Sequence, residues 1–141
     1  MTRLKWLRRE CHNLALYFTL CLDENAFAAE LKRLGIVGGV SFVKNAHSDA
    51  TTHFLASSKD RRHCAIVCMQ RNHHRTIEQR YGLLTHEAVH VWQEHCSLIG
   101  EGKPSSEYEA YGIQHIAQEL MQAYAAAIKK PRKRCRRSVR R

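Results

Sequence analysis

Two long segments in the second half of the chain carry apolar residues at helical spacing. The first runs from about residue 76 to 98 and the second from about 105 to 128. Gly100, Gly102 and Pro104 lie between them, which predicts that one helix ends there and the next folds back antiparallel to it. Helices of this kind bury an apolar face against another layer of structure, so the first half of the chain is expected to supply that layer.

The first half of the chain predicts a small sheet and one helix. Asp23 is a candidate N-cap for a helix at about 24–34, which Gly35 would end. Runs of β-forming residues predict strands at Ala15–Leu22, Val40–Lys44, Thr51–Ala56 and His63–Met69, and the last two read as a hairpin. The order of elements predicts an α+β fold in which a sheet of three or four strands is covered by helices.

The positive charge of the chain is concentrated at its C-terminus. The 141 residues have a net charge of +10, but residues 129–141 contain nine basic residues and no acidic one. Residues 1–128 contain 14 basic and 13 acidic residues, a net charge of +1. This division predicts one domain at 1–128 and a disordered basic tail at 129–141. The tail favours nonspecific, salt-dependent contact with nucleic acid rather than a basic reading face.

Composition also argues against a membrane or secreted protein. The longest apolar stretch, Leu14–Leu22, is too short to span a bilayer as a helix. The N-terminus has charges but no apolar core of a signal peptide behind them. We therefore expect a cytoplasmic protein, whose six cysteines are mostly free thiols. None of them forms a C-x-x-C pair, so a zinc ribbon is not supported.

The string His86-Glu87-Ala88-Val89-His90 is an H-E-x-x-H motif in the first predicted helix. Residues four apart lie on the same face of a helix, so His86 and His90 can bind one metal ion. Glu87 can then take a proton from a water that zinc acidifies to a pKa of roughly 7. Two solvated histidines on a surface helix are the simpler alternative.

A metal held by His86 and His90 needs a third protein ligand, and candidates for it lie further along the chain. An H-x-x-G-x-x-H continuation is absent, because Gln93 and Cys96 stand where a glycine and a histidine would be needed. Glu107 lies at the start of the next predicted helix and is a candidate third ligand, with a carboxylate favoured by the helix dipole as the alternative. Glu109 lies about 200° around that helix, so only one of the two can face a metal. Its position three residues after Ser106 suits a capping box.

The motif and the later string Glu107-Tyr108-Glu109-Ala110-Tyr111 together resemble the gluzincin peptidases. The stretches 83–93 and 100–114 are more closely similar to small zincin-like proteins encoded by bacteriophages. The resemblance implies a zincin-like fold, Zn²⁺ held by His86, His90 and Glu107, and Glu87 as the catalytic base. It also implies that an extended peptide substrate adds to a sheet edge, and that the cytoplasm is that of a host cell.

Tyr111 departs from the family pattern, which has an aspartate at this position. A phenol one turn after Glu107 could donate a hydrogen bond to an oxyanion, and a buried aromatic between helices is the alternative. His115 follows one turn later, and its role stays open.

Two functions are therefore expected. The first is a zinc metallopeptidase that hydrolyses peptide bonds with Glu87 as general base. The second is a non-catalytic phage protein in which zinc stabilises a binding or assembly module, possible nucleic-acid contact being made through the tail. The oligomeric state is left open.

Overall fold

A computed structural model describes residues 3–71 and 74–129 of the chain. It contains three strands, β1 (Tyr17–Cys21), β2 (Ala50–Ala56) and β3 (His63–Met69), and three α-helices, α1 (Glu24–Arg33), α2 (Ile77–Ile99) and α3 (Ser106–Lys129). A short 3₁₀ helix at Glu10–His12 precedes β1. The predicted α+β class is confirmed, with a three-stranded mixed sheet and two long helices packed together.

Strand β3 lies at the centre of the sheet. It pairs in parallel with β1 and antiparallel with β2, which confirms the predicted hairpin. Its continuous apolar sequence is explained by burial on both faces. Ala65, Val67 and Met69 belong to the larger core cluster, while the alternate residues Cys64, Ile66 and Cys68 belong to a second cluster.

The helices cover the two faces of the sheet. On one face, α2 and α3 contribute Leu84, Ala88, Trp92, Ile116 and Leu120 to the larger cluster. On the other face, α1 contributes Phe27 and Leu31 to the smaller one. None of the helices in the described part of the chain is both long enough and apolar enough to cross a membrane.

Local capping explains where the helices begin and end. Asp23 accepts a hydrogen bond from the Ala26 N–H at 2.8 Å, which confirms the predicted N-cap of α1. Thr76 forms a capping box with Gln79 at the start of α2, and Gly100 ends this helix with a φ of 71°. At the start of α3, Ser105 Oγ accepts from the Tyr108 N–H at 3.4 Å.

One predicted strand is wrong. Residues 42–44 form bends, and residues 40 and 41 have no regular structure. The segment contacts β2 through side chains of that strand. The Lys44 N–H donates to Thr51 Oγ1 at 3.0 Å, and the Phe42 carbonyl lies 2.9 Å from His53 Nε2. These contacts take the place of a backbone ladder. The sheet therefore has three strands.

The C-terminal boundary can be compared with the prediction only in part. Helix α3 extends to Lys129, the first residue of the predicted tail. The other residues of that tail lie outside the part of the chain that the structure describes.

The described thiols are free, as expected, and buried: Cys21, Cys64, Cys68 and Cys96. Burial raises the pKa of the Cys64 thiol to about 11, and it raises that of Cys68 as well. Thiols held in the neutral form inside an apolar cluster are packing groups rather than metal ligands.

Candidate metal centre

The H-E-x-x-H motif lies in the middle of α2 and divides its residues between two sides of the helix. Ala88 and Val91 are fully buried, whereas His86 and His90 are exposed. Trp92 contacts α3, since a Cβ added to Gly112 would lie 2.1 Å from its ring. At 100° per residue, His90 lies about 200° around α2 from Trp92. The two motif histidines therefore face away from α3 and toward solvent.

The two imidazole rings lie close together on this exposed face. His86 Nε2 and His90 Nε2 are 3.1 Å apart, and the ring planes are nearly perpendicular, at 80°. Gln93 Oε1 lies 3.2 Å from His90 Nδ1, which suits the tautomer that leaves His90 Nε2 with a free lone pair. Nitrogen ligands at 2.0–2.1 Å in a tetrahedral zinc site are about 3.3 Å apart. The spacing of the pair is close to that of two ligands to one ion, and it is also that of a hydrogen bond between the two rings.

Glu87 points from the same helix toward the sheet. Glu87 is only 6% exposed, and its Oε2 accepts a hydrogen bond from Thr52 Oγ1 at 2.5 Å. Thr52 belongs to β2, an edge strand of the three-stranded sheet. A carboxylate that is buried needs such a donor to offset the loss of hydration. Thr52 therefore fixes the orientation of the Glu87 carboxylate on the side of α2 that faces β2.

Glu107 is not brought to the histidine pair. Within residues 3–71 and 74–129, no three His, Cys, Asp or Glu side chains are grouped so that they could hold one metal ion. The helix pairing explains why. Gly112 meets Trp92 and Tyr108 meets His95, so the first turn of α3 lies beyond the level of His90. His90 also faces away from α3, which puts the axis of α2 between the two groups.

Tyr111 lies on an exposed part of α3. It is 57% exposed, so the interpretation as a buried aromatic between helices is wrong. It lies next to Gly112 on α3, and the ring of His12 forms a hydrogen bond with its backbone. The structure therefore puts Tyr111 beside the N-terminal segment, on the helix that His86 and His90 face away from.

The sequence reasoning missed a second group of histidines, at the junction of the N-terminal segment with α2 and α3. His95 is fully buried, accepts the Ala15 N–H at Nδ1 (3.1 Å) and donates from Nε2 to Tyr108 Oη (3.2 Å). The ring of His12 lies 5.6 Å from that of His115, measured between centroids. Burial, then the charge of His12, lowers the pKa of His95. These contacts join residues far apart in the sequence, which no local pattern signals.

Comparison with protein-family models, curated proteins and solved structures finds no match for this chain. The resemblance to gluzincins and to phage zincin-like proteins therefore stays a prediction from the motif residues. The geometry of His86, His90 and Glu87 carries the functional argument from this point.

Proposed function

We propose that the protein is a zinc-dependent peptide-bond hydrolase whose metal is held by His86 and His90. The observation that carries the proposal is the 3.1 Å separation of the two Nε2 atoms on one exposed helix face. Neutral imidazole suits zinc among the common divalent ions. Zinc bound there would polarise a carbonyl group and acidify a water molecule.

Glu87 is the proposed general base. It follows His86 directly in the sequence, and the Thr52 hydroxyl holds one of its carboxylate oxygens. The other oxygen is the atom that would take the proton from water and later deliver it to the leaving amine. Because Thr52 lies on β2, a peptide bound along this strand would pass close to the base.

Among the residues that it describes, the structure does not supply the third protein ligand that a catalytic zinc site usually has. Glu107 fits a zinc ligand by residue type, but it lies on the helix that the histidine pair faces away from. A site with two histidines alone is open to water and weaker than one with three protein ligands. The second candidate is a non-catalytic binding or assembly module that zinc stabilises, and a zinc with this structural role would need further protein ligands as well.

Metal content measured on purified protein tests the site. Wild type is expected to hold one zinc per chain at equilibrium with zinc-containing buffer, and His90→Ala is expected to hold none. His63→Ala is a matched control, because His63 is exposed at the start of β3 and outside the motif. Zinc retained equally by all three proteins contradicts the site. Loss of zinc in Glu107→Gln would show that Glu107 is the third ligand. Retention of zinc would show that His86 and His90 are sufficient to bind it.

Hydrolysis separates the two candidate functions. Glu87→Gln is expected to keep its zinc and to cleave casein at least 100-fold more slowly, the usual scale for loss of a general base. Persistent cleavage in this variant would contradict the role of Glu87. If wild type binds zinc, is stabilised by it and cleaves nothing, the non-catalytic function is the correct one.

A further inference from the structure

A cavity of about 930 Å³ lies outside the candidate metal centre. Its walls come from the N-terminal segment, the start of α1, the second half of α3, and the ends of two strands. Leu22 follows β1 and Arg71 closely follows β3, and these two strands are parallel neighbours. No residue of α2 lines the cavity, so this site is separate from the proposed metal centre.

Most of the cavity wall is apolar. One side is formed by α3, where Ala123, Ala126 and Ala127 lie on one helix face and leave space because their side chains are small. Leu4 and Trp6 of the N-terminal segment also line the cavity. The volume is within the range of pockets for small organic molecules, which are lined mainly by apolar side chains with a few polar groups.

The charged groups around the cavity are mostly positive. Arg3, Lys5 and Arg71 line it, and in the part of the chain that the structure describes they form no ion pair with an acidic side chain. The buried carboxylate of Glu119 is matched by Arg8, whose Nη2 lies 2.9 Å from Glu119 Oε1.

The last acidic group of the lining, Asp23, serves as the N-cap of α1 and accepts from the Ala26 N–H. Both carboxylates therefore have structural partners, whereas three cationic groups do not. The cavity retains a positive potential that would favour an anionic ligand.

We propose that this cavity binds a small amphipathic anion. Its apolar body would lie against Leu4, Trp6 and the alanine face of α3, and its carboxylate or phosphate group would lie near Arg3, Lys5 and Arg71. The basic C-terminal residues are an unsuitable occupant, because they carry the same sign of charge as these three side chains. These three side chains are exposed and hydrated, so a neutral ligand would gain nothing from their charge.

Binding of four probes to the full-length protein tests the proposal. Octyl phosphate and octanoate carry both required features, octanol lacks the charge, and inorganic phosphate lacks the apolar body. Titration calorimetry below the micelle concentration is expected to show both amphipathic anions binding at least tenfold more tightly than octanol or phosphate. Equal binding of octanol, or no binding of either amphipathic anion, would overturn the proposal.

Trp6 reports where the probe binds. It lines the cavity, whereas Trp92, the second tryptophan, is buried between α2 and α3. Octyl phosphate is expected to change the tryptophan emission of wild type and to leave that of Trp6→Phe unchanged, while calorimetry still detects binding to the variant. An undiminished emission change in Trp6→Phe would place the probe elsewhere and overturn the assignment.

Charge variants test the cationic groups. Arg3→Gln/Arg71→Gln is expected to bind octyl phosphate at least fivefold more weakly. Lys32→Gln/Lys59→Gln removes the same charge from exposed positions outside the cavity and is expected to bind as wild type does. Equal losses in the two double variants would show a general charge effect and contradict the site.

The C-terminal residues are tested in the same assay. Replacing the basic residues of 130–141 by glutamine in the full-length chain is expected to leave octyl phosphate affinity unchanged. A tenfold gain would mean that these residues compete for the cavity, which would overturn the proposal. Neither this variant nor the cavity variants alter His86, His90 or Glu87, so the outcome does not depend on that of the proposed zinc site.

Discussion

Gly112 lies at a close contact between the two long helices. A Cβ at this position would lie 2.1, 2.4 and 2.7 Å from three atoms of the Trp92 ring, which is itself fully buried. Gly112→Ala should therefore destabilise the protein by about 1–3 kcal/mol, as overpacked cores do, although alanine is the better helix former. Urea unfolding monitored by circular dichroism measures the free energy of unfolding.

Gly82 provides the matched control, because it also lies within a long helix but a Cβ added there would meet nothing within 4 Å. Gly82→Ala should stabilise the protein by about 0.5–1 kcal/mol through helix propensity alone. If both substitutions stabilise the protein to the same extent, the close contact between Gly112 and Trp92 is wrong.

Single residues also show which features of the site can be predicted from the sequence. The Asp23 cap depends on neighbours within three residues and was predicted correctly. The separation of His86 from His90 follows from helix geometry in the same way. Whether Glu107 can join them depends on which side of α2 meets α3, and that is decided by Trp92 and Gly112 rather than by any spacing in the sequence.

At the scale of the elements, α2 depends on the cap at its first turn. Thr76 Oγ1 accepts from the Gln79 N–H at 3.2 Å, and Gln79 Oε1 accepts from the Thr76 N–H at 3.0 Å. Thr76→Ala should lower the free energy of unfolding by about 1 kcal/mol, whereas Thr76→Ser keeps the acceptor and should cost less. Equal losses measured in urea for the two variants would contradict a contribution from the hydroxyl.

The N-terminal segment is attached to the helix pair through His95, and this attachment should depend on pH. His95 accepts from the Ala15 N–H, so the bond needs a neutral ring. Burial, with a smaller contribution from His12, lowers the pKa of His95 below the 6.5 of an unperturbed histidine. The unfolded chain then binds more protons between that lowered pKa and 6.5. This stabilising contribution is complete above pH 6.5 and is lost as the pH falls through the folded pKa.

Urea unfolding at pH 7.5, 6.5 and 5.5 measures this dependence. Wild type should lose more stability between pH 7.5 and 5.5 than His95→Gln, which should be the less stable protein at pH 7.5. His63→Gln, altered at an exposed position, should follow the wild-type pH dependence. Parallel curves for wild type and His95→Gln would exclude the buried ring as the source.

The strands show why some elements are predictable and others are not. The bounds of β3 were predicted without error, because a run of seven residues buried on both faces has a strong sequence pattern. Residues 40–44 have a similar local composition, yet the Lys44 N–H bonds to a threonine hydroxyl instead of a strand. Propensity describes whether a segment can be extended, and backbone pairing with a neighbouring strand decides whether it is a strand.

At the scale of the whole molecule, one sheet holds two core clusters together. The larger cluster lies between the sheet and the α2–α3 pair, and the smaller one lies between the sheet and α1. The hairpin of β2 and β3 could be predicted from the short turn between them. The parallel pairing of β1 with β3 could not, because it joins segments more than 40 residues apart through α1 and residues 40–44.

The distribution of charge is a property of the whole chain and leads to the last prediction. Residues 1–128 carry a net charge of +1, so attraction to a polyanion must come almost entirely from the nine basic residues of 129–141. The protein should bind DNA of any sequence at low salt, and affinity should fall steeply between 50 and 200 mM salt because phosphate contacts release counterions.

Replacing the basic residues of 130–141 by glutamine should abolish binding, while a variant with 130–141 in shuffled order should bind as wild type does. Fluorescence anisotropy with a labelled duplex measures both. Binding retained by the glutamine variant would instead assign the nucleic-acid contact to the folded domain.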